Sequence, residues 1–461
     1  MAKLVAIGDS LVQGAMSLAS SNSKHSFVYM LAKSLGLKDS EFSTPDFDVM
    51  GGIPVNLEWL SRKLERRFGA HISLWEWPAV GVYTASLLEK IENYWEKGSG
   101  SLPLSNDILY NNLGVFGFQV ADSYDINSDY CKKMIEGSRD DFFQPPSFGW
   151  LRLARSVLNP AFKSSRKSDT QLDVVQKIKD RDGRIENLLL CTGANNCLNT
   201  VFKLFIKQAY ETSPGPDSSF TLWSSELFKA EYLKVADKID AIDCENVYVC
   251  TVPPVLAMPL AKGLMDDGTR GPGHNDFFDY YVKPWVSKEH FNPLKDRYIT
   301  GLEAKEIDEI INRYNLAIKE IAVDRGYTVI DFHKVVDSAW YDKYRGDPPI
   351  VLPDAIKDLD GRFLNVNDEG AIVEGGLFSL DGMHPTLCGY GLLAQECIDS
   401  FRLNGQDVED IDFYELRKRD SLVSDPPLSV NDIMNLLKFL EEHFHLSRWM
   451  RVSIDTGIGT I

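Results

Sequence analysis

The chain has 461 residues, 44% hydrophobic and 25% charged, enough to bury a large core without disulfides or metal. Its 67 acidic and 49 basic residues leave a formal charge of −18, which argues against a nucleic-acid backbone or an anionic membrane as the main partner. Seven cysteines, at 131, 191, 197, 244, 250, 388 and 397, form no CxxC pair, so neither a zinc ribbon nor a thioredoxin-type site is indicated, and no apolar run reaches the roughly 18 residues of a transmembrane helix.

In chain order, the first apolar run is LVAI at 4–7, closed by the turn GDSL. Because KLVAIGDS already reads as a buried strand and turn from Lys3, no secretory signal peptide is expected, and a cytoplasmic location is. A helix is expected over 55–68, then strands at 108–115 (ILYNNLGV) and 187–193 (NLLLCTG). A helix over 224–239 and a strand at 247–254 (VYVCTVPP) follow. Residues 303–325 carry Ile307, Ile310, Tyr314, Ile318 and Ile321 at helical spacing, with Gly326 as the stop. A strand at 327–332 (YTVIDF) and a helix over 390–402 complete the series. Continuous apolar runs without alternation suit parallel strands buried on both faces. The expected fold is therefore α/β: a doubly wound, flavodoxin-like parallel sheet in a three-layer α/β/α arrangement. The long stretches between strands imply insertions near 38–105, 120–185 and 258–300 in a domain spanning 1–404. Residues 405–461, with an amphipathic stretch at 431–445, read as a C-terminal extension.

In such sheets the ligand site lies beyond the carboxyl ends of the strands. The first three strands end in Gly8-Asp9-Ser10-Leu11, in Asn112-Leu113-Gly114-Val115-Phe116-Gly117 and in Gly193-Ala194-Asn195-Asn196. Late in the chain comes SLDGMHPTLCGYG, with Asp381 three residues before His384. A serine at a strand-to-helix turn exposes its hydroxyl at the sheet edge, a histidine can take its proton, and a carboxylate can hold the imidazole tautomer. A glycine N–H at 117 and the Asn195 amide would suit a developing oxyanion.

These four blocks, in this order, resemble the GDSL or SGNH hydrolase family. The resemblance implies Ser10 as nucleophile, His384 as general base and Asp381 as its orienting acid. It also implies an oxyanion hole made by the Ser10 N–H, the Gly117 N–H and the Asn195 side chain, with Gly114 as the alternative glycine. Asn196 departs from the pattern, standing where the family usually has aspartate. The implied activity is hydrolysis of a carboxylic ester, short to medium acyl or acetyl, on a lipid or an acylated carbohydrate. No cofactor or metal is implied. An acyltransferase with the same triad, or an idle binding scaffold on the same fold, are the alternatives.

Each of these residues has a plainer reading. Ser10 alone is a helix N-cap, Asp9 a turn or capping residue, Asp381 the cap of a following helix and Asn195 an Asx-turn. His274, Asp276 and Asp279 read as loop residues before metal ligands. DLDGRF at 358–363 has its glycine too early for a calcium loop, and GLMDDGT at 263–269 lacks the P-loop lysine. The rings of LWEWP (74–78) and FFDYYVKPW (277–285) are expected in core or lid before pocket.

Overall fold

A run of small and branched apolar residues that needs cover on both sides becomes β1 (Ala2–Gly8), whose Leu4, Val5, Ala6 and Ile7 are all fully buried. Adjacent strand residues face opposite ways, so this burial requires packing on both faces of the sheet. The structure is a computed structural model that describes residues 1–73, 75–136, 145–212, 220–264, 277–341, 351–359, 364–366 and 372–444. After β1 come α1 (Ser10–Gln13), α2 (Phe27–Ser34), α3 (Leu57–Phe68), α4 (Trp77–Glu96) and α5 (Gln171–Asp182). They are followed by β2 (Ile185–Cys191), α6 (Ser225–Ile242), β3 (Asn246–Cys250), α7 (Gly301–Arg325) and β4 (Thr328–Ile330). The last two helices used below are α8 (Leu387–Leu403) and α9 (Ser429–Phe444).

The central sheet is parallel throughout, in the spatial order β1-β2-β3-β4. Two sets of helices cover it. The first contains α2 packed on α8, which leans on β4; in the second, α5 lies on β1 and β2, while α6 joins α5 to α7. The fold is thus mixed α/β around a parallel sheet, compatible with three layers. The helix expected at 303–325 starts two residues earlier, where Thr300 and Glu303 form a reciprocal capping box, and it ends at Gly326 in the left-handed conformation.

The expected strand at 108–115 falls short of one. Residues 111–115 do run along the free edge of β1: the Ala6 N–H donates to Asn111 O (2.8 Å), Leu113 N–H to Ala6 O (2.8 Å) and Val115 N–H to Gly8 O (3.1 Å). Only the Ala6–Asn112 bridge has ladder geometry. The neighbouring carboxamides take other partners, with Asn112 Nδ2 donating to Val12 O and Asn111 Nδ2 to Leu4 O. Glycine is required at 114, where a Cβ would sit 2.3 Å from the Gln13 nitrogen.

The loose spacings are filled by secondary structure. Residues 38–105 hold α3 and α4, and 258–300 hold a three-stranded antiparallel sheet of Lys262–Leu264, Tyr280–Val282 and Ile299–Thr300. Beyond residue 404 the chain folds back on the body. Phe413, Leu416 and Val423 join the main core, and Asp420 accepts the Cys388 N–H at the start of α8. Further along, α9 meets α3, and Asp432 accepts the Ile72 N–H. All seven cysteines are free, and Cys191 and Cys250 sit side by side where β2 meets β3. Among the described residues, no helix is long and apolar enough to cross a membrane.

Candidate active site

Three chain segments converge at the carboxyl edge of β1. Gly8 ends the strand so close to β2 that a Cβ there would lie 1.8 Å from the Cys191 oxygen, so only glycine lets the chain turn at this point. Asp9 then caps α1, its Oδ1 accepting the Leu11 N–H (3.0 Å), which bears out its reading as a capping residue. Ser10 is the first residue of α1, 6% exposed. Its hydroxyl oxygen lies 2.9 Å from His384 Nε2, and His384 Nδ1 lies 2.7 Å from Asp381 Oδ2. Ser10, His384 and Asp381 are thus drawn into one hydrogen-bonded chain across 374 positions of sequence. With Asp381 ionised, Nδ1 carries the proton and Nε2 is left to accept from the serine.

Asp381 is held from several directions. Oδ1 accepts the N–H groups of Met383 (2.7 Å) and His384 (2.8 Å) and the Ser379 hydroxyl (3.3 Å). Oδ2 accepts the Leu18 N–H (2.6 Å) beside the imidazole. Burial works against this charge, yet the His384 charge and the hydrogen bonds hold the carboxyl below the usual aspartate range. The Phe116 ring packs on the imidazole, 5.4 Å between centroids, and its N–H donates to Gln13 Oε1 (2.9 Å).

The two candidate glycines are separated by their hydrogen bonds. The Gly114 N–H is spent on Asn112 Oδ1 (2.9 Å), which removes the alternative donor. The N–H groups of Gly117 and Ser10 make no hydrogen bond among the described residues, and Gly117 has a φ of +83°. Asn195 Nδ2 donates to Phe118 O (2.9 Å), which ties its loop to the one that carries Gly117 and leaves its second N–H unspent. Asn196 is buried beside it; its Oδ1 accepts the Val120 N–H (3.2 Å), while its Nδ2 has no partner among the described residues. An aspartate would take the same Val120 bond, so the departure at 196 keeps the acceptor that anchors the loop. A small pocket beside Asn195 is lined by Gln119, Phe220, Thr221 and Trp223.

Other candidates stay apart from this cluster. His274, Asp276 and residues 265–269 and 360–363 lie outside the described residues, and the Asp279 carbonyl accepts the Gly301 N–H. Of the 277–285 rings, Tyr281 is buried in the main core with Phe278 edge-on to it, and Tyr280 packs against Phe291 and Tyr298. Trp77 joins a small cluster with Leu64, Ile72 and Val80, whereas Trp75 is 89% exposed. Among the described residues, no group of three or more His, Cys, Asp or Glu is placed to hold a metal. The contributions of Leu18, Ser379 and Gln13 carry no sequence signature, because each acts through a backbone group or an ordinary side chain.

Asp9 supplies a test of the local electrostatics. Its second oxygen is buried with no partner among the described residues, and burial pushes the carboxyl up to about 7. The folded chain therefore keeps a proton that the unfolded chain releases near 3.8. The resulting stability is fully present at low pH and is lost as pH rises to about 7, a difference on the order of 4 kcal/mol. Asp9→Asn keeps an acceptor for Leu11 and cannot ionise. The variant is expected to unfold at higher temperature than wild type at about pH 8, by a smaller margin at about pH 5, and at nearly the same temperature at about pH 3, below the unfolded value. Thermal unfolding followed by circular dichroism measures all three.

Comparison with protein-family models, with curated proteins and with solved structures returns no match for this chain, so the assignment rests on its own residues.

Proposed function

We propose that the protein is a serine hydrolase of the GDSL/SGNH type, with the three-layer α/β/α architecture of that family, that cleaves a carboxylic ester. The observation that carries this reading is the single imidazole bonded to Ser10 Oγ at 2.9 Å and to Asp381 at 2.7 Å. His384 Nε2 takes the Ser10 proton as Oγ attacks the ester carbonyl, and Asp381 stabilises the imidazolium that forms. The oxyanion is met by the N–H groups of Ser10 and Gly117 and by Asn195 Nδ2. His384 passes its proton to the leaving alcohol. Water, deprotonated by the same nitrogen, then releases the acid from the acyl-enzyme. An idle scaffold has no use for an imidazole held between a carboxylate and a serine hydroxyl.

Phe116 lies against the imidazole and narrows the approach to it, which favours acetyl or other short to medium acyl groups, on a lipid or a carbohydrate alcohol. The test is a fluorophosphonate probe, with the adduct located by peptide mass. Label on Ser10 is expected, and a folded protein that leaves Ser10 unlabelled sinks the proposal. Turnover of p-nitrophenyl esters from acetyl to long acyl then sets the chain length, with long-chain preference counting against the short-acyl reading. Asn195→Ala should lower kcat by about 10²- to 10³-fold with KM little changed. Steady-state kinetics on p-nitrophenyl acetate would show it, and an unaltered kcat would remove Asn195 from the oxyanion hole.

A further inference from the structure

Two adjacent non-glycine residues beside the triad occupy the left-handed region: Ser17 at φ +54° and Leu18 at φ +70°. Met16 and Ala19 close the turn on either side, each N–H donating to the other's carbonyl (2.9 and 3.2 Å). A two-residue hairpin with positive φ at both central positions is ordinarily built from Asn-Gly or Gly-Gly, since only such residues enter it without strain. Ser-Leu is a poor choice for the shape, and strain of this kind persists only where the surroundings impose it. Here they do. The Ser17 carbonyl accepts the Leu57 N–H (2.8 Å), the Ala15 carbonyl accepts the Tyr390 hydroxyl (2.6 Å), and Ala19–Ser20 pairs with Ile53–Pro54.

The turn spends its two N–H groups on the acid loop. Ser17 N–H donates to Ser379 Oγ (2.9 Å), whose hydroxyl donates to Asp381 Oδ1, and Leu18 N–H donates to Asp381 Oδ2 (2.6 Å). The other backbone donors to Asp381, Met383 and His384, come from its own loop and fix Oδ1. Among the described residues, only Leu18, from the segment that carries Ser10, donates a backbone N–H to the oxygen that holds the imidazole.

We propose that the strained Ser17-Leu18 turn is a positioning device that sets the place of Asp381 relative to Ser10 through the backbone, independently of His384. This rests on the hydrolase reading above, with Ser17 and Leu18 acting through Asp381 and not on substrate. The inward-turned N–H groups require the left-handed backbone, which accounts for a shape that the side chains do not favour.

The test replaces Leu18 by its α-hydroxy acid, converting one amide to an ester. The N–H is lost and the side chain kept. With Leu18 N–H gone, kcat should fall roughly 10- to 100-fold at nearly constant KM. The downfield Nδ1 proton resonance of His384 should shift and broaden. Ser17→Asn/Leu18→Gly keeps both N–H groups in the residues that prefer this turn, and should retain wild-type kcat and resonance with a higher melting temperature. If the ester chain does not fold, Ser379→Ala reads the same link, with lower kcat and a shifted resonance expected. An unmoved resonance and an unchanged kcat in the folded ester or Ser379→Ala protein overturn the proposal. So does an Asn-Gly variant as impaired as the ester, which would place the effect in the side chains. A moved resonance in a protein whose Ser10 never labels would overturn the hydrolase reading and leave the positioning of Asp381 standing.

Discussion

Ser10→Ala is expected to lower kcat on a p-nitrophenyl ester by about 10⁶-fold and to abolish fluorophosphonate labelling, without a comparable loss of stability. Among the described residues the Ser10 side chain bonds to His384 alone, and Asp9, not Ser10, caps α1, so removing the hydroxyl leaves the helix and the turn intact. His384→Ala should cost a similar factor. The double variant should cost no more than either single change, because nucleophile and base act as one unit. A residual rate above that of water is expected from the oxyanion donors. Initial rates of the three variants, beside their melting temperatures, decide the matter. Ser10→Ala with wild-type turnover would show that Ser10 is only the start of a helix.

Asp381→Asn is expected to lower kcat/KM by about 10⁴-fold and also to destabilise the fold. The carboxylate accepts three donors on Oδ1 and two on Oδ2. Whichever way an amide is turned, its NH₂ faces N–H groups of the chain. On the Oδ2 side it meets the Leu18 N–H and drives the imidazole proton off Nδ1. On the Oδ1 side it meets the Met383 and His384 N–H groups, and in both the imidazole loses the carboxylate charge. A pH signature accompanies the loss. Because the carboxyl is held below its ordinary range, the folded chain binds fewer protons there than the unfolded chain. Its stabilisation is present above the ordinary aspartate value and fades as pH falls through the lower folded value. The Asn variant should lack that acid-side fall. Urea unfolding across acid pH measures it, and an equal fall in variant and wild type would contradict the account.

Much of the frame was legible because the core writes itself as uninterrupted apolar runs. LVAI, NLLLC, VYVC and TVI lie in β1, β2, β3 and β4, and helix boundaries moved by no more than about four residues, as capping chemistry allows. The ILYNNLGV run misled because two asparagines in its centre spend their side chains on neighbouring carbonyls, leaving one bridge where a ladder was expected. In the candidate site, Ser10, Asp381 and His384 could be found because that chemistry needs particular side chains at turns. Gly117 could be told from Gly114 only by seeing which N–H was already spent. Ser17 and Leu18 were invisible, since nothing in Ser-Leu announces a left-handed turn. A backbone donor has no letter in the sequence.

The distance of 374 positions between Ser10 and His384 also has a meaning in time. At roughly 5–20 residues per second, a ribosome makes Ser10 about 20–75 seconds before His384. Throughout that interval the nascent chain bears Ser10 without the His384 imidazole that its hydroxyl bonds in the fold. On the proposed hydrolase reading, esterase activity begins only when the loop after residue 376 docks onto the turn at 17–18. Appearance of activity on a stalled-chain series would thus report closure of the fold by its last strand-edge loop, without any added probe.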